Sequence, residues 1–401
     1  MTADPHQARY DALLNLYHQG ELMACYSGCR ALLDDAPEHF GALQLLGVID
    51  SRRDEHQKAL VWLDRAIAAQ PDTPSVHNNR GNVLLQLDRP VEALASYEQA
   101  LSLGLENPFA LNCRGTALVT LGRLDEALAS FGHALDVMPD MADALFNRGE
   151  LLLEIGRQSE GADHILRARA CGFDAERCDF TLAALGAAPA LPAMPPDMVR
   201  RLFDEYAHRF DSHLTGTLDY QAPRLVGEAA AGLAQGRAAL DIADLGCGTG
   251  LCGPHLAPLA RHLAGVDLSP LMLDRARALG LYHSLDEAEL TDWLARRPGQ
   301  FDLAVAADVL NYFGDLDGVA RAAASALRPG GHWLFTVEAD TGLAGSYTLA
   351  DTRRYRHHRS YLEDLLARHG LLVLSLRTER LRQDRGAPVD GYLVLAQRPM
   401  A

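Results

Sequence analysis

The feature that most constrains this chain is a set of residues that recurs every 34 positions through its first half. Glycine occupies one position of the period four times in succession, and small and large apolar residues recur elsewhere with the same spacing. The glycines are Gly47, Gly81, Gly115 and Gly149. Small residues at fixed positions let two antiparallel helices approach closely, while a large apolar residue fills the gap against the next pair. One helix pair cannot bury its apolar face alone, so the period predicts a stacked helical solenoid.

This pattern resembles the tetratricopeptide repeat over roughly residues 6–175. The predicted repeats cover residues 6–39, 40–73, 74–107, 108–141 and 142–175, within an all-α domain at 1–180. In the first repeat, Leu13 and Cys25 replace the small residues, as expected of a capping repeat. The resemblance implies a protein or peptide partner on the concave face of the array. Asn79 and Asn147 could hydrogen-bond an extended peptide there, or could equally satisfy turns within the array.

The second half has a different pattern. Residues 181–197 are rich in alanine and proline and predict a linker. Over residues 198–401, short apolar runs alternate with amphipathic stretches, which predicts a Rossmann-like α/β domain with a mostly parallel, seven-stranded sheet. The predicted strands are Leu240–Leu245, Leu263–Asp267, Phe301–Ala306, His332–Glu338, Leu371–Thr378 and Val389–Gln397, with a short one near Glu287–Leu290. We expect a charged turn at Glu379–Pro388 and an amphipathic helix at Met198–Leu214.

A glycine-rich loop follows the first predicted strand and runs from Asp244 to Gly250. Its glycines permit a tight strand-to-helix turn and let a ligand approach the backbone. The second strand ends at Asp267, whose carboxylate can accept both hydroxyls of a ribose. These two features predict an adenosine-type ligand at the switch point of the sheet. The stretch from Gly248 to Gly253 also matches the dinucleotide fingerprint, so this motif alone leaves a nicotinamide-dependent oxidoreductase open.

Further motifs favour a different cofactor. The glycine run begins at Gly246, directly after a strand that carries the acidic residue Asp244. Asp267 is followed at 268–273 by the motif Leu-Ser-Pro-Leu-Met-Leu. A turn at Leu327–Gly331 precedes a strand. Together these motifs resemble class I S-adenosylmethionine-dependent methyltransferases along nearly all of residues 198–400. They resemble more narrowly a bacterial group of predicted methyltransferases that couples tetratricopeptide repeats to this domain. The marks of that group are Leu202–Ala207, Asp219–Pro223, Ala306–Val309, Tyr312–Leu316 and Arg354–Tyr355.

The resemblance implies S-adenosylmethionine as the cofactor and assigns residues to its site. These residues are Tyr206, Asp244, Gly246, Cys247, Gly248, Gly250, Asp267, Leu268, Met272, Glu289, Leu290 and Ala307. The glycines would lie under the methionine part, and Asp267 would hold the ribose. Leu268 and Met272 would flank the adenine. Tyr206 would fold over the sulfonium, which suits an aromatic face, or would simply belong to the apolar face of its helix.

Asp308, Tyr312, Glu338 and His357 are the candidate catalytic residues. Methyl transfer from a sulfonium is an in-line displacement, so the enzyme must align the acceptor and exclude water. An oxygen or nitrogen acceptor can also need a base, for which Glu338 and His357 are candidates; His357 could equally be an ordinary loop histidine. The signature of amino-group methyltransferases is absent at 307–310. That absence favours an oxygen, carboxyl or carbon acceptor, or a protein side chain, and leaves the acceptor itself unknown.

Composition excludes several other classes. The formal net charge is −16, which disfavours nucleic acid as a partner. No stretch approaches the roughly 20 apolar residues that span a bilayer. The start of the chain lacks a secretory signal, and seven cysteines without framework or zinc-site spacing favour the cytoplasm and no metal. We therefore predict a methyltransferase whose repeats recruit a protein or peptide. The alternative is a tetratricopeptide scaffold with a non-catalytic or cofactor-sensing methyltransferase-like domain.

Overall fold

The computed structural model describes residues 5–207, 219–234, 239–342, 345–384 and 386–400. Contacts divide the chain into two compact units, Met1–Cys178 and Asp179–Ala401. Unit 1 is built from antiparallel helix pairs. Its helices are α1 (Pro5–His18), α2 (Leu22–Asp35), α3 (Phe40–Arg52), α4 (His56–Ala69), α5 (Pro74–Gln86), α6 (Pro90–Ser102), α7 (Pro108–Thr120), α8 (Leu124–Val137), α9 (Ala142–Glu154) and α10 (Gln158–Ala170). The next helix, α11 (Ala175–Ala184), contains the boundary between the units.

The recurring glycines lie where the two helices of a pair come closest. A Cβ atom on Gly81 would lie 2.7 Å from the ring of Tyr97, and one on Gly149 would lie 2.8 Å from the side chain of Ile165. Tyr97 and Ile165 are fully buried. Both distances are far below van der Waals contact, so a larger residue would push the helices apart. The close helix approach that the 34-residue period predicts is confirmed.

Unit 2 contains one twisted sheet. Its strands are β1 (Leu240–Leu245), β2 (Ala260–Asp267), β3 (Ser284–Glu287), β4 (Phe301–Ala306), β5 (Leu327–Asp340), β6 (Tyr347–Leu349), β7 (Tyr355–His358), β8 (Leu372–Asp384) and β9 (Ala387–Gln397). They follow the order β3-β2-β1-β4-β5-β7-β6, with β9 paired to β5 and β8 paired to β9. The pairs among β1 to β5 are parallel, whereas β9 is antiparallel to both neighbours.

The strand count differs from the predicted seven. Within the described residues the sheet has nine strands, because the short strands β6 and β7 extend it at the carboxyl end of β5. Glu338 on β5 pairs with Gly391 of β9 and also with Arg356 of β7. Strand β7 therefore lies on the opposite side of β5 from β9, beyond the point where β4 has ended.

The predicted charged turn at Glu379–Pro388 is wrong over most of its length. Strand β8 continues to Asp384 and β9 begins at Ala387, so most of this stretch is extended strand. The charged residues of this stretch fit a strand for different reasons: Arg380 faces solvent, whereas Arg382 is buried and paired with carboxylates. The short third strand lies slightly earlier than predicted, at Ser284–Glu287, because Glu289 caps the following helix.

Helices cover both faces of the sheet, as predicted. They are α12 (Pro196–Tyr206), α13 (Ala222–Ala234), α14 (Gly253–Leu256), α15 (Pro270–Ala278), α16 (Leu290–Ala295), α17 (Asp317–Ala326) and α18 (Arg359–Arg368). Strand side chains alternate, so Leu245 and Phe335 join one buried cluster while Ile242 and Leu334 join the other. The predicted helix at Met198–Leu214 is observed up to Tyr206, and residues 208–214 lie outside the described ranges. Among described residues, no helix is long and apolar enough to cross a bilayer.

Part of the alanine- and proline-rich segment is held by hydrogen bonds within unit 2. The backbone N–H of Met194 donates to the carbonyl of Tyr312 over 2.8 Å, and those of Gly314 and Asp315 donate to the carbonyl of Pro192 over the same distance. The hydroxyl of Tyr355 donates to the carbonyl of Leu191 over 2.7 Å. These bonds place residues 191–194 beside the loop that follows β4.

Candidate functional site

Two adjoining cavities open at the carboxyl ends of β1, β2 and β4. The first, of about 290 Å³, is lined by the glycine loop and by polar residues of the loop after β4, of β8 and of the turn before β7; we call it the glycine-loop cavity. The second, of about 190 Å³, has mainly apolar walls and is called the apolar cavity. Both are lined by Phe203, Gly246, Asp267, Val309 and Tyr312. This is the edge at which ligands bind open parallel sheets.

The glycine loop adopts a backbone that residues with side chains avoid. Gly246, Gly248 and Gly250 have φ angles of 62°, 54° and 91°. A Cβ atom on Gly246 would also overlap Val309, which lies in the loop after β4. The loop therefore presents bare backbone to the cavity at the point where β1 and β4 end.

Asp267 links the end of β2 to this loop. Its two carboxylate oxygens accept hydrogen bonds from the backbone N–H groups of Gly248 and Ser269, each over 2.9 Å. Burial raises the pKa of Asp267, and the backbone donors oppose that shift. Each oxygen has a second lone pair, so the carboxylate can still accept two hydroxyl groups from a ligand.

Asp244 lies beneath the glycine loop and lines the glycine-loop cavity. Its side chain is buried and accepts a hydrogen bond over 2.6 Å from the hydroxyl of Tyr282, a residue between α15 and β3. Burial raises the pKa of Asp244 to about 7, the Tyr282 hydrogen bond lowers it, and the charge of Asp267 raises it further. A cationic ligand group placed here would stabilise the ionised form.

The apolar cavity collects several of the residues expected to contact an adenine. Leu268, Glu289 and Leu290 line it, together with Met194 from the segment before α12. The carboxylate of Glu289 is already engaged, since it accepts from the backbone N–H of Asp292 over 2.8 Å and from the hydroxyl of Thr291 over 2.9 Å. Met272 is different: it is fully buried in α15 and is not among the lining residues of either cavity.

One end of the glycine-loop cavity adjoins a cluster of charged residues, which we call the arginine–carboxylate cluster: Asp308, Glu338, Arg354 and Arg382. Three of them line the cavity, whereas Glu338 is buried and lines neither cavity. Arg382 donates to Asp308 over 2.8 Å and also to Glu338. Asp308 additionally accepts from Asn311 over 3.0 Å. Its φ angle of 54° is unusual for a residue with a side chain, and such conformations concentrate at functional sites.

Tyr312 lies between the two cavities and lines both. Its ring packs edge-on against Phe203, with centroids 5.4 Å apart, and the guanidinium of Arg354 lies 5.6 Å from its centroid. Burial raises the pKa of Tyr312. Ala307 and Cys247 also line the glycine-loop cavity. Tyr206 ends α12, and its side chain lies outside the part of the chain that the structure describes.

The structure does not bring His357 into this site. His357 is fully buried on β7 and lines neither cavity, and its Nε2 lies 3.1 Å from the carbonyl oxygen of Gly314. Burial lowers its pKa to about 4. The cause is strand alternation, which turns Tyr355 and His357 inward and Arg356 outward.

Sequence reasoning missed several residues that line the glycine-loop cavity, among them the charged or phenolic side chains of Tyr220, Arg354, Arg382 and Asp384. Tyr220 and Arg354 belong to stretches that carry the family resemblance, so a role for them could have been sought there. Arg382 and Asp384 lie in the stretch predicted as a turn, where charge indicated solvent. Among the described residues, no group of three or more potential ligands is arranged to hold a metal ion.

Comparison with known protein families agrees with both units. A tetratricopeptide repeat model matches residues 52–108 and 114–175, and a methyltransferase domain model matches residues 243–333. The chain joins tetratricopeptide repeats to a methyltransferase domain. The predicted family resemblance and division of folds are thereby confirmed. A methyltransferase domain with this glycine loop supports S-adenosylmethionine as the cofactor.

Individual relatives match only part of the methyltransferase region. A ubiquinone biosynthesis O-methyltransferase of Ralstonia nicotianae is 31% identical over 104 residues, which cover 24% of this chain and 42% of that protein. The enzyme of the same name from Marinobacter nauticus is 37% identical over 95 residues, covering 22% and 40%. The chain thus spans about two fifths of the length of these curated relatives.

Solved structures are similar to each part. The tetratricopeptide-repeat protein YrrB is 21% identical with a TM-score of 0.39, covering 42% of this chain and 88% of that one. The magnesium protoporphyrin IX methyltransferase ChlM from Synechocystis, solved with bound S-adenosylmethionine, is 19% identical with a TM-score of 0.39. That comparison covers 51% of this chain and 96% of the other.

Proposed function

We propose that unit 2 binds S-adenosylmethionine across the two cavities and transfers its methyl group to an acceptor, and that unit 1 recruits a protein or peptide that is the substrate or a partner. The observation that carries the first part is the position of Asp267. Its carboxylate is fixed to the backbone of Gly248 and faces both cavities, and it keeps lone pairs for two hydroxyls.

The residues present fit this cofactor. Leu268 and Leu290 would contact the adenine in the apolar cavity, and Asp267 would hold the ribose. The glycine loop would lie against the methionine part, with Asp244 placed to face its ammonium group. When bound, S-adenosylmethionine supplies a methyl group on a positively charged sulfur. Tyr312, placed where the cavities meet, would help to exclude water and align the acceptor.

The arginine–carboxylate cluster keeps Asp308 and Glu338 paired with cations at the acceptor end. Glu338 is buried and lies near Arg354 and Arg356 as well as Arg382. Oxygens of both carboxylates are thus engaged by guanidinium groups, which leaves them less free to contact an acceptor. We therefore propose that Asp308, which lines the cavity, helps to position the acceptor, that Glu338 holds Arg382 in place, and that the site favours an acceptor that does not need strong base catalysis.

Two observations support a recruiting role for unit 1. First, the array has the repeats of a family that commonly binds peptides. Second, the half-buried side chain of Asn147 donates a hydrogen bond of 3.0 Å to the half-buried Asn112 of the preceding repeat. Such side chains can pair with an extended backbone. We also propose a cytoplasmic location, which an odd number of cysteines without the spacing of a disulfide framework supports.

The cofactor proposal is tested by thermal unfolding of the full chain with S-adenosylmethionine, S-adenosylhomocysteine or NAD. A ligand at about 100 times its dissociation constant stabilises a protein by about 2.7 kcal/mol. We expect the two adenosyl compounds to stabilise the chain and NAD to have no effect. Stabilisation by NAD alone would identify an oxidoreductase, and no response to any of the three would favour a scaffold without a cofactor.

Recruitment is tested with tritiated S-adenosylmethionine and a bacterial protein extract. We compare the full chain with a variant carrying Asn79→Ala and Asn147→Ala, and with Asn15→Ala as an exposed control. We expect the double substitution to reduce labelling of proteins while the affinity for S-adenosylhomocysteine stays unchanged. Label found only in small molecules, or equal labelling of proteins by all three chains, would rule out recruitment of a protein substrate through Asn79 and Asn147.

A further inference from the structure

The acceptor end of the glycine-loop cavity contains more than the cofactor needs. Tyr220, Arg354, Arg382 and Asp384 line this end together with Asp308, and they come from four separate parts of the chain. Neither the ribose nor the methionine contacts described above use them. A group of charged and phenolic side chains assembled from distant segments indicates a second ligand.

The two arginines of this group are held differently. The Arg382 side chain is 2% exposed and donates to both Asp308 and Glu338. The Arg354 side chain is 23% exposed, and its contacts are longer: 3.4 Å to Asp308 and 3.6 Å to Glu338, both through the same nitrogen. A guanidinium has five N–H donors, so Arg354 retains donors that face the cavity. Arg382 is a structural ion-pair partner, whereas Arg354 is available to a ligand.

The position of Arg354 is also fixed by the backbone. Its carbonyl accepts from the N–H of Ala350 over 2.9 Å, and Arg353 turns the chain with a φ angle of 60°. The guanidinium lies over the ring of Tyr312, at 5.6 Å from its centroid. Stacking of this kind holds the planar fork in one orientation, and a fixed fork matches a planar anion.

The local charges limit what the ligand can be. Of the charged side chains that line this end, Arg354 and Arg382 balance Asp308 and Asp384, so the lining has no net charge before a ligand binds. A ligand with two negative charges would meet stronger repulsion from Asp308 and Asp384 than a ligand with one. A carboxylate brings one negative charge and two coplanar oxygens, whereas a phosphate monoester brings nearly two charges.

We propose that this end of the cavity is an acceptor subsite for a carboxylate-bearing molecule and that Arg354 binds its carboxylate. This inference rests on the proposed function, because the subsite adjoins the place assigned to the methyl donor. Arg382 then acts as a positioning residue, since it holds Asp308 beside the subsite. The hydroxyl groups of Tyr220 and Tyr312 supply further polar contacts for the acceptor.

The test measures binding of benzoate to the full chain saturated with S-adenosylhomocysteine, by titration calorimetry or ligand-observed NMR. Benzamide and benzylamine serve as neutral and cationic probes of matched size, and phenyl phosphate as the dianionic one. We expect benzoate to bind at least about tenfold more tightly than each of the others. Equal or weaker binding of benzoate than of benzamide or phenyl phosphate would overturn the proposal.

Substitutions assign the effect to Arg354. We expect Arg354→Gln to weaken benzoate binding about tenfold or more, and Arg354→Lys to weaken it less, because it keeps the charge and loses the fork. The control is Arg356→Gln, which removes an arginine two residues further along the chain. Arg356 contacts the same Glu338 but is 46% exposed and does not line the cavity. It should leave benzoate binding unchanged.

The affinity for S-adenosylhomocysteine distinguishes failure of the acceptor subsite from failure of the cofactor site. If all variants bind it normally and Arg354→Gln still binds benzoate as the unsubstituted chain does, the acceptor subsite is refuted and the cofactor site stands. If the unsubstituted chain fails to bind S-adenosylhomocysteine, the proposed function itself is refuted, and the inference falls with it.

Discussion

The carboxylate of Asp267 accepts a hydrogen bond of 2.9 Å from the backbone N–H of Gly248, 19 residues earlier in the chain. This bond joins the carboxyl end of β2 to the loop that follows β1, so the residue expected to bind the ribose also orders the glycine loop. A contact of this kind couples ligand affinity to loop geometry, because a change at either residue moves the other.

Replacing Asp267 should therefore weaken cofactor binding. We expect Asp267→Ala to raise the dissociation constant of S-adenosylhomocysteine by about 10- to 100-fold, since hydrogen bonds to a charged acceptor contribute about 1.5–3 kcal/mol each. Titration calorimetry measures this change. The control is Asp274→Ala on α15, an exposed carboxylate that pairs with Arg277 three residues further along the helix. An unchanged affinity in Asp267→Ala would remove this residue from the cofactor site.

Two glycines with similar backbone angles separate conformational strain from steric overlap. Gly246 and Gly280 have φ angles of 62° and 66°, but a Cβ atom would overlap Val309 only at Gly246 and would meet nothing within 4 Å at Gly280. We expect Gly280→Ala to cost about 1–2 kcal/mol of unfolding free energy, and Gly246→Ala to cost about 1–3 kcal/mol more. Denaturant unfolding measures both values. Adding Val309→Ala should recover part of the excess; equal losses at the two glycines would contradict the overlap.

Arg382 should be important for stability as well as for the site. Its removal leaves the buried carboxylates of Asp308 and Glu338 without their nearest cation, and breaking a buried pair from one side typically costs about 3–5 kcal/mol. We expect a loss of this order for Arg382→Gln in denaturant unfolding. Arg356→Gln, at an exposed position, should cost less than about 1 kcal/mol. Similar losses in the two variants would mean that the cluster does not depend on Arg382.

Asp244 should make the folded chain less stable as pH rises, which is the opposite of the effect of most carboxylates in proteins. Its pKa is about 7 in the folded chain and about 4 in the unfolded chain. Between these values the folded chain holds a proton that the unfolded chain releases, so this residue lowers the unfolding free energy as pH rises from about 4 to 7. Asp244→Asn removes the effect. The unfolding free energy of Asp244→Asn minus that of the unsubstituted chain should therefore increase as pH rises from about 4 to 7, by on the order of a few kcal/mol. Above about pH 7 this difference should stay constant.

The measurement is urea unfolding without cofactor at several pH values between 4 and 8. Tyr282→Phe is a useful companion variant, because its lost hydroxyl no longer lowers the pKa of Asp244. The window should then shift to higher pH. A difference between Asp244→Asn and the unsubstituted chain that does not vary with pH would show that Asp244 is ionised throughout.

Local pattern was enough for much of the architecture. The 34-residue period predicted helix pairs because close packing repeats its requirement for a small residue at the same position in each pair, as Gly81 and Tyr97 show. Strands β1 and β4 have the predicted bounds, since buried parallel strands are continuous apolar runs with sharp ends. The glycine loop could also be predicted from the sequence, because glycine adopts the positive φ angles of this loop without strain.

What the sequence determined by itself is thus the repeated helix pairs, the central parallel strands and the loop between β1 and α14, where each residue's role depends on its neighbours in the chain. Only the tertiary structure decided the acceptor end. Arg382 lies 74 residues from Asp308 and 44 from Glu338, in a stretch whose charges predicted a solvated turn. His357 is excluded from the cavity by strand alternation on β7, a short strand that the sequence did not predict. Contacts between distant segments depend on how the strands pair, and no local pattern encodes that pairing.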